Sequence, residues 1–408
     1  MDPLVGCGAS LGHFWRFLAD SARQMLPAEE VSVEGRRFAV HRQLGEGGFS
    51  FVYLAREVPD ARGEDFALKR VLLHEDEHVA AVEREMAVMR RFEHPNVLPL
   101  LHAEIEPRVP DAPRRANLVF PAFPEGTLLD RATAHPEAEA FDTPQLLSVL
   151  NQVALALQRL HEGGAAGVPY AHRDLKPGNV LLETLDPSDP RARSIPGIIP
   201  GNEKEILRAV LMDFGSARPA RVQVRSRQDA VALQELAAAE CTAPFRAPEL
   251  WDAPSRCDVD ERVDVWSLGC VAFACVAGGR SPFEYSMAQV GGSLALAVLS
   301  GKFQWPEKAR ERVPREARAI AEFCLEKDWR ARPSVAEVLE KIEDAADTIA
   351  TRRVKEKEME MEMGKEKEKE KGAGAGALGA TNGPGGEEAG SDGAGEGGVV
   401  ATVFAATE

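Results

Sequence analysis

Tyr170-Ala171-His172-Arg173-Asp174-Leu175-Lys176-Pro177-Gly178-Asn179-Val180-Leu181-Leu182 sets an acid, a lysine and an amide within six positions. The loop is entered from a helix-like stretch and left by an apolar strand-like run. A carboxylate at 174 suits taking the proton of an attacking hydroxyl. A lysine at 176 suits stabilising a transferring phosphoryl group, and the amide of Asn179 suits ligating Mg²⁺. Downstream, Val210-Leu211-Met212-Asp213-Phe214-Gly215 is an apolar strand ending in a second acid, Asp213, ready for the same cation.

Upstream, Leu44-Gly45-Glu46-Gly47-Gly48-Phe49-Ser50-Phe51-Val52 lies between two strand-like runs. Its glycines let a hairpin backbone approach phosphates and aim N–H groups at them, although Gly-rich hairpin turns without a ligand are common. The loop opens another strand and not a helix, which counts against a dinucleotide fingerprint or a Walker loop. Lys69 follows at the end of the apolar run Phe66-Ala67-Leu68. After it comes a helical pattern with Val79, Val82, Met86 and Met89 on one side, flanked by Glu83 and Glu85. Either carboxylate could pair with Lys69, and helical periodicity does not choose between them.

Outward from these motifs, short strand-like runs occupy the chain from Phe38, and helix-length patterns follow at 144–162, 229–240, 263–277, 315–325 and 334–350. Strands first and helices later imply an α+β chain, with a small antiparallel-sheet lobe at about 35–123 and a larger helical lobe at about 124–350. Residues 1–34 read as a lead segment with an amphipathic helix over Leu11–Leu18. Four prolines between Leu185 and Asn202 mark an irregular insertion, about 185–204. Residues 351–371 are nearly all Lys, Glu and Met, which suits a solvated helix, and the Gly/Ala-rich 372–408 is expected to be disordered. The formal net charge of -16 argues against a nucleic-acid partner, because phosphate neutralisation needs clustered Lys and Arg. The 6 cysteines lack metal-finger or disulfide spacing, so a reducing, cytoplasmic compartment is expected. Nothing in the sequence sets an oligomeric state.

In their order, these motifs resemble those of the eukaryotic serine/threonine protein kinases, over about 310 residues from Phe38 to Ala350. The resemblance implies a bilobal kinase fold, ATP and Mg²⁺ as cofactors, and protein substrates phosphorylated on Ser or Thr. It makes Asp174 the catalytic base, Lys176 its phosphate partner, and Asn179 and Asp213 the metal ligands. Leu44, Gly45 and Gly47 would cover the nucleotide, and Val52, Ala67 and Leu181 would sandwich its adenine. Pro121 C=O and Phe123 N–H would face the adenine edge, beside Phe120 as gatekeeper. The family spacing to His94-Pro95-Asn96 selects Glu85 over Glu83 as partner of Lys69. Arg332 is the implied buried partner of Glu249, and Asp264 the brace of the catalytic loop. Thr242 is implied to contact the base and Lys176, as a threonine there usually does in serine/threonine kinases.

Within that class, Gly45–Ser50, Ser226-Arg227-Gln228 before a helix-forming stretch, and Asp260–Cys270 resemble the Numb-associated kinases, including small membrane-anchored members. Their activation segment carries an extra helix, here 229–240, with Val231, Leu233 and Leu236 as apolar anchors. This chain begins Met1-Asp2 and lacks the acceptor glycine for myristoylation. Weak peripheral membrane contact, on an internal membrane, is therefore expected only through Cys7 and Leu11, Phe14, Trp15 and Leu18.

Two other readings compete with this one. His74-Glu75-Asp76-Glu77-His78 fits the zinc-protease pattern H-E-x-x-H, but its acidic interior suits the polar start of the Glu85 helix better. A pseudokinase-like scaffold or binding protein would share the fold, yet such proteins lose one of the reactive groups, and Lys69, Asp174, Asn179 and Asp213 are all present.

Overall fold

The computed structural model describes residues 29–376, apart from 60–62, 110–112, 136, 165–166 and 202–204. The expected Leu11–Leu18 helix, Cys7 and the chain beyond 376 lie outside the described residues. The early strand-like runs form β1 (Glu29–Val33), β2 (Arg36–Gly47), β3 (Ser50–Val58), β4 (Phe66–Leu73), β5 (His102–Ile105) and β6 (Arg114–Pro121). They make one antiparallel sheet in the order β1-β2-β3-β4-β6-β5. The lead segment was expected to run to 34, but the sheet already begins at Glu29. Val31 and Val33 alternate into the core, and Glu34 (φ 51°) with Gly35 (φ 77°) closes a two-residue hairpin onto β2. Both central residues need positive φ in the turn whose twist matches the strands.

Helix α1 (Asp76–Arg91) carries Asp76 and Glu77 in its first turn and Arg90 and Arg91 in its last, complementing its dipole. It buries Val82, Glu85, Val88 and Met89. The helical lobe then opens with α2 (Leu128–Ala134) and α3 (Thr143–His161), each started by a capping box, Thr127 with Asp130 and Asp142 with Gln145. Short β7 (Tyr170–Ala171) precedes the antiparallel pair β8 (Val180–Leu185) and β9 (Ile206–Leu211). Then come β10 (Arg218–Pro219), β11 (Val222–Val224), α4 (Arg227–Glu240), α5 (Pro248–Trp251), β12 (Cys257–Val259) and α6 (Arg262–Ala274). The chain continues through α7 (Pro282–Val290), α8 (Leu294–Ser300), α9 (Glu307–Arg312), α10 (Arg315–Cys324) and α11 (Val335–Gly376).

Helix α6 is predominantly apolar, and it is buried from Val263 through Ala274 as the centre of this lobe. Gly269 permits the close approach of α10, since a Cβ there would stand 2.8 Å from the Cys324 side chain. Beyond Leu185, which ends β8, the described part of the insertion holds one 3₁₀ turn, Pro190–Ser194, and no other regular structure, as its prolines dictate. It lies along α3: Ile199 N–H donates to Ser148 Oγ at 2.9 Å and Asn151 Nδ2 to Gly197 O at 3.3 Å. Gly197 (φ 79°) is required there, because a Cβ would meet Leu155 at 2.9 Å.

Helix α11 packs Val335, Val338, Leu339, Ile342, Ala345 and Ile349 into the core. From Arg353 the chain forms a second unit. Its side chains at 353–365 are all exposed, as a solvated Lys/Glu helix requires. The helix runs to Gly376, past the expected boundary at 371, so 372–376 is helical and not irregular.

Candidate active site

Between sheet and helical lobe lies a cavity of about 360 Å³. Its wall includes Gly47, Val52, Ala67, Lys69, Glu85, Phe120, Pro121, Phe123, Leu181 and Asp213, so most of the expected nucleotide-contacting residues meet there. Leu44 and Gly45 depart from expectation. Gln43 pairs with Tyr53 and Gly45 with Val52, leaving Leu44 as the extra residue of a β-bulge. The bulge turns Leu44 into the core, where it is 1% exposed, and it does not line the cavity. Gly45 is held in the β2–β3 ladder and also stands off the cavity wall.

Lys69 Nζ reaches Glu85 Oε1 at 2.7 Å, and Glu83 is exposed, which resolves the choice that periodicity left open. Desolvation draws the Lys69 ammonium down, but Glu85 and Asp213 outweigh it, and the pKa stands above the usual lysine value. One residue that sequence reasoning passed over secures the far end of α1. Arg91 donates to Gly163 O at 2.8 Å and Val168 O at 3.1 Å, with its guanidinium over the Tyr170 ring. This ties the helix that carries Glu85 to the strand that enters the catalytic loop. An arginine at a helix end carries no sequence signal for such a role.

The loop itself is held by a buried carboxylate. Asp264, on α6, accepts the backbone N–H groups of His172 (2.7 Å) and Arg173 (2.8 Å), and His161 Nε2 lies 3.0 Å away. Burial alone would raise the Asp264 pKa, yet the His161 hydrogen bond and the surrounding charges hold it below the ordinary carboxylate range. These contacts fix Arg173 at φ 66°, a left-handed conformation that a non-glycine residue keeps only under such constraint. The Asp174 N–H donates to His172 Nδ1 at 3.3 Å, which places the imidazole proton on Nε2, facing Met212 O at 3.1 Å.

Around Asp174 the donors converge. Lys176 Nζ lies 2.8 Å from its Oδ2 and 2.7 Å from Thr242 Oγ1, while the Thr242 N–H donates to Oδ1 at 2.7 Å. Asn179 Nδ2 donates to Asp174 O at 2.8 Å and Oδ2 at 3.1 Å, which leaves the amide oxygen free for a cation. Val180 pairs with Leu211, and the Met212 N–H donates to Asn179 O at 2.9 Å, so Asn179 and Asp213 stand side by side. Desolvation pushes the Asp213 carboxyl up, but Lys69, Lys176, His172 and the Gly215 N–H outweigh it and its pKa is lowered. One carboxylate and one amide oxygen suit Mg²⁺, which completes its shell with water and nucleotide phosphates. Among the described residues, no group of three or more His, Cys, Asp or Glu is placed to hold a metal ion.

The activation segment runs from Asp213 to Glu249. Helix α4 within it starts at a capping box between Ser226 and Asp229. Its buried residues are Ala230, Leu233 and Ala237, whereas Val231 and Leu236, expected as anchors, are exposed. Positions 230, 233 and 237 share one helical face, and 231 and 236 fall outside it. The helix end is fastened by Ser216 Oγ on Glu240 O at 2.7 Å and by Arg218 on the Glu240 carboxylate. Arg173 Nη2 donates to Pro219 O at 3.2 Å. The segment closes on Glu249, which Arg332 holds through two bonds of 2.7 and 3.0 Å in full burial. Buried charges of this kind are tolerated only as a pair.

Residues 38–342 match the protein kinase domain family. The chain belongs to the protein kinases. It is 36% identical over 317 residues to serine/threonine-protein kinase 16 of Mus musculus, covering 77% of this chain and 92% of the relative. The Homo sapiens protein of the same name is 35% identical over 314 residues, with 77% and 92% covered. Serine/threonine-protein kinase ppk13 of Schizosaccharomyces pombe is 29% identical over 342 residues, again with 77% and 92% covered. The family uses ATP and Mg²⁺, and the kinase fold accounts for the α+β architecture, with a sheet lobe, a helical lobe and the cavity between them.

Proposed function

We propose that this kinase transfers the γ-phosphoryl group of Mg²⁺-ATP to Ser or Thr hydroxyls of protein substrates. Asp174 accepts the hydroxyl proton, and Lys176 faces the charge that develops on the phosphoryl oxygens. Lys69, held by Glu85, positions the nucleotide phosphates, and Asn179 with Asp213 would hold Mg²⁺, which neutralises them when bound. Val52, Ala67 and Leu181 grip the adenine, with Pro121 C=O and Phe123 N–H at its edge. The observation that carries this reading is the contact of Lys176 with both Asp174 and Thr242, which builds the acceptor site around a threonine. Phosphoamino-acid analysis after reaction with a degenerate peptide library tests it. Phosphoserine and phosphothreonine are expected, and phosphotyrosine alone would reverse the assignment. The narrower placement among the Numb-associated kinases is part of the same proposal and is supported by α4.

Activity does not require phosphorylation of the activation segment, because α4 orders it. Ser226→Ala removes an exposed cap, costs about 0.5–2 kcal/mol of local stability, and leaves turnover near that of the parent protein. Ala237→Pro breaks the helix on its buried face and is expected to remove most activity. A silent Ser226→Ala beside an active Ala237→Pro would point instead to a phosphate switch.

The protein is proposed to be cytoplasmic, with weak peripheral membrane contact through residues 1–28. No described helix is long and apolar enough to cross a membrane. Deleting 1–28, which ends before β1, is expected to release the protein from the membrane fraction at an unchanged melting temperature. An unchanged fraction with a lowered melting temperature would show that the segment packs on the domain.

A further inference from the structure

Both imidazoles of the H-E-x-x-H stretch are engaged with a neighbouring ring. Phe49 sits at the tip of the glycine-rich hairpin, beside Gly48 (φ 38°), and 56% of its surface is exposed. Its carbonyl accepts the Leu72 N–H at 2.8 Å, which sets the tip next to the junction of β4 and α1. There its ring lies 5.5 Å from the His74 ring and 5.0 Å from the His78 ring. The two imidazoles stand edge to face at 6.2 Å, and the His74 N–H donates to His78 Nδ1 at 3.3 Å. That bond fixes the orientation of the His78 ring, so the pair forms a preset aromatic seat.

We infer that His74 and His78 are positioning residues for ATP, the seat on which the tip of the glycine-rich loop closes. Gly47 and Ser50 flank the tip and line the nucleotide cavity, so wherever Phe49 rests determines how closely their backbone approaches the phosphates. The seat belongs to the start of α1, and the same helix carries Glu85 to Lys69. Loop closure and the Lys69–Glu85 pair are therefore linked through one rigid element. A tip without a seat samples open positions, and nucleotide binding then bears the entropy of closing it. The inference rests on the reading of the cavity as the ATP site.

Steady-state kinetics of the full chain with Mg²⁺-ATP and a Ser/Thr peptide test it. His74→Ala/His78→Ala is expected to raise the KM for ATP about five- to tenfold, the lower end of what two ring contacts supply, with most of the loss in KM and little in kcat. His74→Phe/His78→Phe keeps rings at both positions and should return KM to within about twofold of the parent protein. Phe49→Ala should reproduce the rise and add nothing to the double alanine variant, since both remove one contact. An unchanged KM for ATP, additive effects, no rescue by phenylalanine, or a fall in kcat that tracks a fall in melting temperature would each overturn the seat. Mg²⁺-ADP titration of the parent protein separates the two readings: if ADP binds, such results reject only the seat, and if it does not, both fall.

Discussion

Asp174→Asn is expected to lower kcat by about two to four orders of magnitude, the usual contribution of a positioned general base. An asparagine at 174 still offers an oxygen to the Thr242 N–H, so the loop keeps its shape. It can no longer take a proton or balance Lys176, which now lies 2.8 Å from the carboxylate. Nucleotide affinity should hold, because Asp174 is not part of the cavity wall. Full turnover in this variant would remove the assignment of the site, and loss of nucleotide binding would mean that the substitution had disturbed the fold.

The second large effect is expected at Asp213. Asp213→Asn keeps an oxygen ligand and removes the charge that faces Lys69 and Lys176. The loss in kcat/KM should reach about two to three orders of magnitude, as for other removed partners of transition-state charge. Unlike the defect at Asp174, part of it should be recovered by raising Mg²⁺, since the damaged step is metal binding. A Mg²⁺ dependence identical to that of the parent protein would exclude Asp213 as a ligand.

Much of this site was legible because its chemistry is written in short, contiguous stretches. His172 to Asn179 and Met212 to Gly215 each specify a reactive group and a backbone path, and the β8–β9 pairing brings them together. Other features depend on geometry that a linear pattern does not record. The bulge that buries Leu44 is one extra residue in an otherwise regular hairpin. Strand β1 shows only two buried valines among acidic neighbours, too few to stand out from a polar lead segment. The buried face of α4 is hidden from a pattern that weighs apolar size, because close packing selects the small Ala230 and Ala237 beside Leu233 and leaves Val231 and Leu236 exposed. The choice between Glu83 and Glu85 lay beyond periodicity, because the two flank the apolar face on opposite sides, about 200° apart around the helix, and only the position of the sheet decides which side meets Lys69.

In the proposed mechanism the catalytic groups are already assembled, with α4 in place of a phosphate as the organiser of the activation segment. Transfer of labelled γ-phosphate from Mg²⁺-ATP to a Ser/Thr peptide by the phosphatase-treated full chain tests this most directly. The predicted result is turnover equal to that of the untreated protein; nucleotide binding without transfer would contradict it and leave a binding scaffold with the kinase fold.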